Sequence, residues 1–363
     1  MATLLTGFIS FAIALTSVSA DASSYQQNAE CACDQLMRYY QTSNSGLWGD
    51  NDWWQSAIFM TALADLSALD SGYNATYFDT YATTYTNAPG YGDYTGFIDS
   101  FDDDEGWWGV AWLTVYDLTQ NPDYLNLAIS IYDDITQHKS SCGGIIWEKG
   151  GTYLASIASE LYITLAAGIA NRVSSDQKST YLDSAVSVWD WFFSIGVVGD
   201  DWVVVDGANA TTCQVSSTAV YSYNQGVILS AAVELAAATG NTTYLGMAGN
   251  IANATTALNS QFTGSNGVIT DCASGCDNTS AMFKGPLFRG LRQLQLADPH
   301  DNWVTWLTTN AQAAWNNDLN LTTVNGETEC NLGQYFNGPV SSVSAVTQGA
   351  GLDSLIAAWA VTM

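Results

Sequence analysis

The chain has 363 residues and is 47% apolar, so it is long enough to bury a substantial core in one large domain or two. It carries 35 acidic residues against 8 lysines and arginines, which gives a net charge of −27. This charge argues against nucleic acid and anionic membrane surfaces as partners, because both repel a strongly acidic protein.

The first 20 residues have the pattern of a secretory signal peptide. An apolar run from Leu4 to Leu15 is followed by the small residues Val18-Ser19-Ala20, which resemble a cleavage site. We therefore expect a mature chain of residues 21–363 that is secreted, to the extracellular space or the cell wall, without a membrane span. Sequons of the type Asn-x-Ser/Thr agree with export. They begin at Asn74, Asn209, Asn241, Asn253, Asn278 and Asn320.

Seven cysteines fit an oxidising compartment, with up to three disulfides and one thiol left over. They are Cys31, Cys33, Cys142, Cys213, Cys272, Cys276 and Cys330. Their spacing leaves the connectivity open. With only two histidines, His138 and His300, the chain offers no zinc-type ligand set, and we expect neither a metal nor a cofactor.

Apolar periodicity and capping residues predict helices along the whole mature chain. The twelve predicted helices cover residues 29–40, 53–69, 75–87, 102–119, 122–138, 153–172, 177–195, 223–239, 244–262, 283–296, 301–315 and 345–361. One strand-like run, residues 202–205, lies between the seventh and eighth helices. This pattern predicts an all-α fold.

The even-numbered helices are the more apolar ones, and unusual sequences precede or open them. These are Asp52-Trp53-Trp54-Gln55, residues 102–108, Tyr223-Asn224-Gln225-Gly226, Lys284-Gly285-Pro286 and Gln348-Gly349-Ala350-Gly351. Such alternation predicts an (α/α)₆ barrel of twelve helices, a single domain over residues 21–363. In this barrel the N-termini of all six inner helices meet at one end and form one cleft. A solenoid of helix pairs would alternate in the same way, but no fixed repeat length is evident.

The fourth helix begins with four consecutive acids, residues 102–105, and continues with Trp107, Trp108 and Trp112. Adjacent carboxylates repel one another and lose hydration when buried, so some must be hydrogen-bonded, protonated or stabilised by the helix dipole. Aromatic rings stack on sugars, while carboxyl groups bind hydroxyls and transfer protons. We interpret the stretch as a sugar site. The alternative is a capped helix whose acids face solvent.

Asp103-Asp104-Glu105-Gly106-Trp107-Trp108, followed by Ala111-Trp112 and Tyr116-Asp117-Leu118-Thr119, resembles the signature of glycoside hydrolase family 76. Further blocks similar to the family occur in the same order. They are residues 53–57, 142–147, 223–226 and 348–350. The block at residues 154–160 departs from the family pattern, so substrate contacts from the sixth helix stay open.

The resemblance implies an (α/α)₆ barrel that cleaves α-1,6-linked mannan internally and retains the anomeric configuration. It also implies that Asp103 is the nucleophile and Asp104 the general acid/base, with Asp102 and Glu105 as helpers or capping groups. The expected substrate-binding residues are Trp54, Trp107, Trp108, Asp206, Tyr223, Asn224 and Gln225. The expected partner is α-1,6-mannan or a mannooligosaccharide, bound by a monomer.

Two other functions remain open at this point. The first is a fungal cell-wall transglycosylase that acts on the mannose core of GPI-anchor glycans. Residues 357–363 lack the pattern of a GPI signal, and this favours the hydrolase. The second is a carbohydrate-binding protein without activity. If another carboxylate were the catalyst, Glu148 is the best candidate, in a Gly-rich loop that covers residues 142–151.

Overall fold

The structure is a computed structural model that describes residues 21–41, 45–49, 53–70, 72–73, 75–88 and 95–363. The predicted signal peptide, the sequon at Asn74 and the predicted cap at residues 50–52 lie outside these ranges.

The described residues form twelve α-helices, which confirms the predicted all-α class. They are α1 (Ala22–Met37), α2 (Trp53–Leu69), α3 (Phe78–Asn87), α4 (Asp102–Thr119), α5 (Pro122–Thr136), α6 (Ser156–Arg172), α7 (Lys178–Ser194), α8 (Ser222–Thr239), α9 (Thr243–Thr256), α10 (Lys284–Ala297), α11 (Asp301–Asn317) and α12 (Ala345–Thr362).

The even-numbered helices form an inner ring. Each packs on the next, from α2 through α12, and α12 returns to pack on α2. Nearly every residue of α6 and α12 is buried, as expected for helices enclosed on all sides. Outer helices bury one face only. In α5, for example, Tyr124, Ala128, Ile131 and Ile135 recur at helical spacing. The predicted arrangement of two concentric rings is confirmed.

Glycines allow α8 and α10 to approach until their backbones touch. A Cβ atom on Gly226 would lie 2.4 Å from the Leu287 Cα atom, and one on Gly290 would lie 2.0 Å from the Gly226 carbonyl oxygen. No larger residue fits at either position without moving one helix. This contact keeps the N-terminus of α8 beside that of α10, where both border the cleft described below.

Short strands connect some of the helices. β1 (Tyr153–Ala155), β2 (Gly207–Asn209) and β3 (Gln214–Ser217) form an antiparallel sheet in that order, and β4 (Leu319–Val324) pairs with β5 (Glu327–Leu332). The strand predicted at residues 202–205 is wrong. There Val204 makes an isolated bridge to Val198, while the Gln225 side chain bonds both the N–H and the C=O of Val204 at 2.9 Å. A side chain thus takes the place of a neighbouring strand.

The two helix boundaries that differ most from the prediction do so for local reasons. α1 begins at Ala22 rather than at residue 29, because Asp21 accepts the Ser24 N–H and caps the helix. α9 ends at Thr256 rather than at residue 262. The carbonyl of Thr255 accepts the side-chain hydroxyls of Ser260 and Thr263, so the chain turns away there.

All seven cysteines lie in the described ranges, and six of them form the disulfides Cys31–Cys330, Cys142–Cys213 and Cys272–Cys276. Cys33 is left over and buried. The prediction of up to three disulfides is confirmed, and the structure supplies their connectivity. Within the described part of the chain, no helix combines the length and apolarity needed to cross a bilayer.

Candidate active site

The N-terminal ends of five inner helices border one cleft of about 580 Å³. Its lining comes from α2, α4, α6, α8, α10 and the segments that precede them. The lining residues are Trp54, Phe101, Asp103, Asp104, Trp107, Trp147, Tyr153, Ala155, Ile157, Asp206, Tyr221, Tyr223, Asp277, Thr279, Ser280 and Phe283. Acids and aromatic rings therefore meet at one end of the barrel.

The four acids that open α4 separate into two pairs. Asp103 and Asp104 line the cleft and are partly exposed. Asp102 and Glu105 are fully buried behind them. The Asp102 N–H donates to the Trp147 carbonyl at 2.9 Å, which holds the helix start against the Gly-rich loop. The first pair can reach a substrate, and the second can act on that pair from behind.

Asp103 is the member of the front pair that ionises more readily. Burial raises its pKa to about 7, but a hydrogen bond from the Trp147 side chain and bonds from backbone N–H groups oppose the rise. Donors of this kind stabilise a carboxylate and not a neutral carboxyl group. Asp103 is therefore the first of the two to lose its proton.

Asp104 has the opposite environment. Burial raises its pKa well above the ordinary value, and the nearby Asp103 and Asp99 raise it further. Asp104 also shares a hydrogen bond with the Asp99 carboxyl, which holds a proton on Asp104. Asp99 is itself fixed: it accepts the Phe101 N–H at 2.7 Å, and its own N–H donates to Glu105 at 3.0 Å. The geometry thus prepares one carboxylate and one protonated carboxyl group side by side.

A network of hydrogen bonds and ion pairs lies behind the front pair. Asp102 Oδ1 shares a hydrogen bond of 2.9 Å with His138 Nδ1. The Lys149 ammonium contacts Glu105 at 2.5 Å and Asp134 at 2.7 Å. Burial lowers the pKa of Lys149, but its bonds to Asp134 and Glu105 outweigh that effect and raise the pKa overall. Lys149 stays charged and compensates the buried acids around it.

Within the described ranges, Asp102, Asp134 and His138 are the group whose metal-binding atoms come together, all within 4.8 Å of one another. Two of these atoms already bond each other, and Asp134 pairs with Lys149. The ammonium group supplies the positive charge that an ion would bring. We assign the three residues to this network of hydrogen bonds and ion pairs.

Aromatic rings form the walls of the cleft. Trp54 and Trp107 are stacked, with ring centroids 6.3 Å apart and planes inclined by 24°. Trp147 is 37% exposed and projects from the Gly-rich loop. On another wall, Tyr223 meets Phe283 edge to face at 4.0 Å. Exposed ring faces beside carboxyl groups suit a neutral sugar chain, which stacks its apolar faces and hydrogen-bonds through its hydroxyls.

Asp206 is a third acid of the cleft, held by contacts to three segments. Its carboxyl group accepts a hydrogen bond from the Tyr153 hydroxyl. Its carbonyl accepts the Ser156 N–H at 2.7 Å, and its N–H donates to the Ala219 carbonyl at 2.8 Å. A carboxyl group held this firmly can bind a sugar hydroxyl at a defined position.

The cleft brings together six of the nine residues that the sequence suggested for the site. They are Trp54, Asp103, Asp104, Trp107, Asp206 and Tyr223. Trp108, Asn224 and Gln225 are fully buried instead, outside the cleft lining. We therefore correct their assignment from substrate binding to the fold around the cleft.

Contacts explain why two of these side chains, those of Trp108 and Gln225, cannot reach a substrate. The Trp108 ring lies against Trp53, Phe97 and Trp112. The side-chain amide of Gln225 is hydrogen-bonded to Val204 through both its oxygen and its nitrogen, so it is not free to bind a sugar. Glu148, the alternative catalyst, has an exposed side chain that does not line the cleft, and its backbone forms a bridge to Phe101.

Several residues of the candidate site were not predicted from the sequence. Tyr221 stands two positions before Tyr223, and a paired-aromatic pattern would have found it. Asp99 precedes the acidic run by three residues, but its contact with Asp104 depends on the turn between them. Residues 277–280 carried a sequon but no signal for a place at the cleft, because only the fold brings that loop there.

Glu160 on α6 is a buried acid next to this site. It is fully buried, and neither carboxyl oxygen has a hydrogen-bond partner among the described residues. Burial raises its pKa well above the ordinary value, and nearby Asp206 adds to the rise. Glu160 therefore remains neutral and does not compete with Asp103 for the role of carboxylate.

Residues 24–361 match the family described as glycosyl hydrolase family 76. A putative mannan endo-1,6-alpha-mannosidase from Schizosaccharomyces pombe is 29% identical over 54% of this chain and 47% of its own length. The mannan endo-1,6-alpha-mannosidase DCW1 from Saccharomyces cerevisiae is 25% identical over 59% of this chain and 51% of its own. The chain thus spans about half the length of these curated relatives.

Solved structures share the fold. The alpha-1,6-mannanase GH76A of Salegentibacter sp. gives a TM-score of 0.77 at 22% identity. That structure is of an inactive variant, with two consecutive aspartates replaced by alanine, in complex with alpha-1,6-mannotetrose. It covers 92% of this chain and 98% of that chain. Dfg5 from Chaetomium thermophilum in complex with glucosamine gives a TM-score of 0.76 at 20% identity, covering 94% and 90% of the two chains.

Proposed function

The chain belongs to glycosyl hydrolase family 76, and from this premise we propose that it is a retaining glycoside hydrolase that cleaves the α-1,6-linked backbone of mannan internally. One observation carries the proposal. Two adjacent aspartates face an aromatic cleft, and their surroundings make Asp103 lose its proton before Asp104 does. Retaining hydrolysis needs one ionised and one protonated carboxyl group.

In the first step the Asp103 carboxylate attacks the anomeric carbon of the mannose on the non-reducing side of the scissile bond. The bond from this carbon to the bridging oxygen breaks, and Asp104 gives that oxygen its proton. The products are a β-mannosyl ester on Asp103 and a shortened chain with a new hydroxyl group. Asp99 is a positioning residue here, because its bond to Asp104 keeps the proton in place until transfer.

In the second step Asp104, now ionised, takes a proton from an incoming water. The oxygen of this water attacks the anomeric carbon and displaces Asp103, so the ester is broken and the sugar regains the α configuration. Both aspartates return to their starting states. The network of Lys149 and His138 limits the movement of the α4 N-terminus through both steps.

The choice of substrate is supported by the relatives rather than by the cleft alone. The two curated relatives are named for 1,6-alpha-linked mannan, and one solved neighbour was determined with alpha-1,6-mannotetrose. Trp54, which is partly exposed and lines the cleft, offers a ring face that suits the apolar faces of mannose. We further propose a secreted glycoprotein, which agrees with the three disulfides and the sequons.

The test is release of reducing ends from unbranched α-1,6-mannan by the full chain and by two variants. Asp103→Asn and Asp104→Asn should each lower kcat by at least roughly 1,000-fold, because each removes a group with its own chemical step. A mannoside with a strongly acidic leaving group separates their roles. It should restore ester formation in Asp104→Asn but not in Asp103→Asn.

The matched control is Asp123→Asn, which makes the same charge change on the exposed first turn of α5. It should act as the unmodified protein does, and circular dichroism should show all variants folded. Near-normal turnover in either aspartate variant would refute the assignment of that residue. An inactive unmodified protein would refute the choice of substrate.

A further inference from the structure

Among the sequons that the structure describes, the one at Asn278 stands out for its place on the cleft. Asp277, Thr279 and Ser280 line the cleft, so Asn278 has lining residues on both sides in the chain. Asn278 itself is exposed and does not line the cleft. We propose that Asn278 carries an N-linked oligosaccharide that stands on the rim of the active-site cleft and restricts access of long mannan chains.

The loop around Asn278 has a defined shape. The Cys272–Cys276 disulfide closes the turn just before it. One carboxyl oxygen of Asp277 then accepts the Thr279 N–H at 3.0 Å, the Ser280 N–H at 2.7 Å and the Ser280 hydroxyl at 2.7 Å. These bonds hold the Asn278 segment as a tight turn on the surface. A sugar attached there starts from a fixed point rather than from a mobile tail.

The attachment chemistry requires an accessible side-chain amide followed by a hydroxyl residue two positions later, here Asn278 and Ser280. A lipid-pyrophosphate-linked oligosaccharide is the donor, and a glycosyltransferase of the secretory route is the catalyst. The Asn278 Nδ2 atom attacks the first anomeric carbon of the donor and loses a proton to a base of the transferase. A bond from that carbon to nitrogen forms, its bond to the pyrophosphate oxygen breaks, and the lipid pyrophosphate leaves.

The position of the attachment decides its effect. The Asn278 turn leads directly to Phe283, which packs on Tyr223 in the cleft wall. An N-linked oligosaccharide is bulky and hydrated, so on this rim it occupies space that a long substrate needs when it extends beyond the cleft. A short oligosaccharide that fits within about 580 Å³ does not need that space. The effect on catalysis rests on the function proposed above, whereas occupancy of Asn278 does not.

The first measurement is therefore independent of activity. The full chain is secreted from a eukaryotic host, its glycopeptides are released by protease, and glycan removal in ¹⁸O-water marks each occupied asparagine by mass. Asn278 should be occupied in most molecules. An unmodified Asn278 in protein whose exposed Asn320 is occupied would overturn the proposal.

The second measurement compares substrates of two lengths. Asn278→Gln should raise kcat/KM several-fold for polymeric mannan and leave kcat/KM for a short α-1,6-mannooligosaccharide within about twofold. The matched control is Asn320→Gln, which removes an exposed sequon on β4, away from the cleft lining. It should change neither value. Enzymatic trimming of the glycans on protein of the natural sequence should produce the same gain in kcat/KM for polymeric mannan. Trimming the glycans of the Asn278→Gln variant should give no further gain.

The outcomes separate the two proposals. If Asn278 is occupied but its removal leaves kcat/KM for polymer unchanged, the restriction is wrong while the hydrolase stands. An equal gain on polymer and on short substrate would also contradict the restriction. If Asn278 is occupied and the protein cleaves neither substrate, the proposed function fails and the modification stands.

Discussion

Replacing Asp99 by asparagine tests whether the carboxyl group behind Asp104 determines where the catalytic proton lies. Asparagine has nearly the same shape and keeps an oxygen that can accept the Phe101 N–H, now bonded to Asp99 at 2.7 Å. It removes the acidic partner of Asp104, and its amide can donate to an ionised Asp104. Both changes favour loss of the proton, so the pKa of Asp104 should fall.

The size of the fall follows from the hydrogen bond that is lost. A hydrogen bond to a charged group contributes about 1.5–3 kcal/mol, and one pKa unit corresponds to about 1.4 kcal/mol. The pKa of Asp104 should therefore fall by about 1–2 units. If Asp104 is the acid, as we propose, the alkaline limb of kcat/KM against pH should move to lower pH by about the same amount.

The assay is the pH profile of kcat/KM on a soluble α-1,6-mannooligosaccharide, with Asp123→Asn as the charge control. Asp123 follows α4 at its far end, and an 18-residue helix is roughly 27 Å long. The control should leave both limbs in place. An Asp99→Asn variant that loses activity equally at every pH would refute a role in proton placement and leave Asp99 with a role in folding alone. An alkaline limb that stays at the same pH would do so as well.

Two further predictions concern stability. Burial raises the pKa of Asp103 and Asp318 to about 7 and that of Asp353 to about 6. The folded state therefore binds more protons than the unfolded state between about pH 4 and these values, so the free energy of unfolding should fall as the pH rises. The Tm should be higher at pH 5 than at pH 8 by about 5 °C or more. The opposite order would show that these acids are ionised in the folded protein. The second prediction compares two disulfides, because Cys31–Cys330 closes a loop of 299 residues and Cys272–Cys276 a loop of 4. A longer loop restricts the unfolded chain more. Replacing the first pair of cysteines by alanine should therefore reduce the free energy of unfolding by roughly 3–4 kcal/mol more than replacing the second pair. Equal losses in urea titrations would contradict this account.

The fold was largely predictable because the distribution of apolar residues around a long helix shows which of its faces are buried. α6 and α12 are apolar on every side and α5 on one side only, which is the difference between inner and outer helices. The short strands were less predictable. Residues 202–205 have strand composition, but the hydrogen bonds that make a strand depend on a partner, and here the side chain of Gln225 took that place.

The part of the candidate site that consists of consecutive residues was predictable from the sequence. The place of Asp103 and Asp104 in the cleft was predictable because an acidic run before an apolar helix is costly and therefore informative. Trp107 and Trp108 could not be told apart, since a helix turns by about 100° at each residue and sends neighbours in different directions. Trp107 faces the cleft, while Trp108 packs in the core. Asp99 could not be predicted from the sequence, because its contact with Asp104 depends on the turn between the two residues.

The configuration of the first product is the most direct test of the paired-aspartate mechanism. Proton NMR of unbranched α-1,6-mannan should show the α-anomer at new reducing ends first, before mutarotation produces the β-anomer. An ester on Asp103 that is opened by water requires this result, because two inversions restore the starting configuration. If longer oligomannosides also form at high sugar concentration, sugar hydroxyls compete with water for the same ester, as the transglycosylase alternative requires. Appearance of the β-anomer first would contradict the mechanism and make Asp206 the candidate base for a single displacement by water.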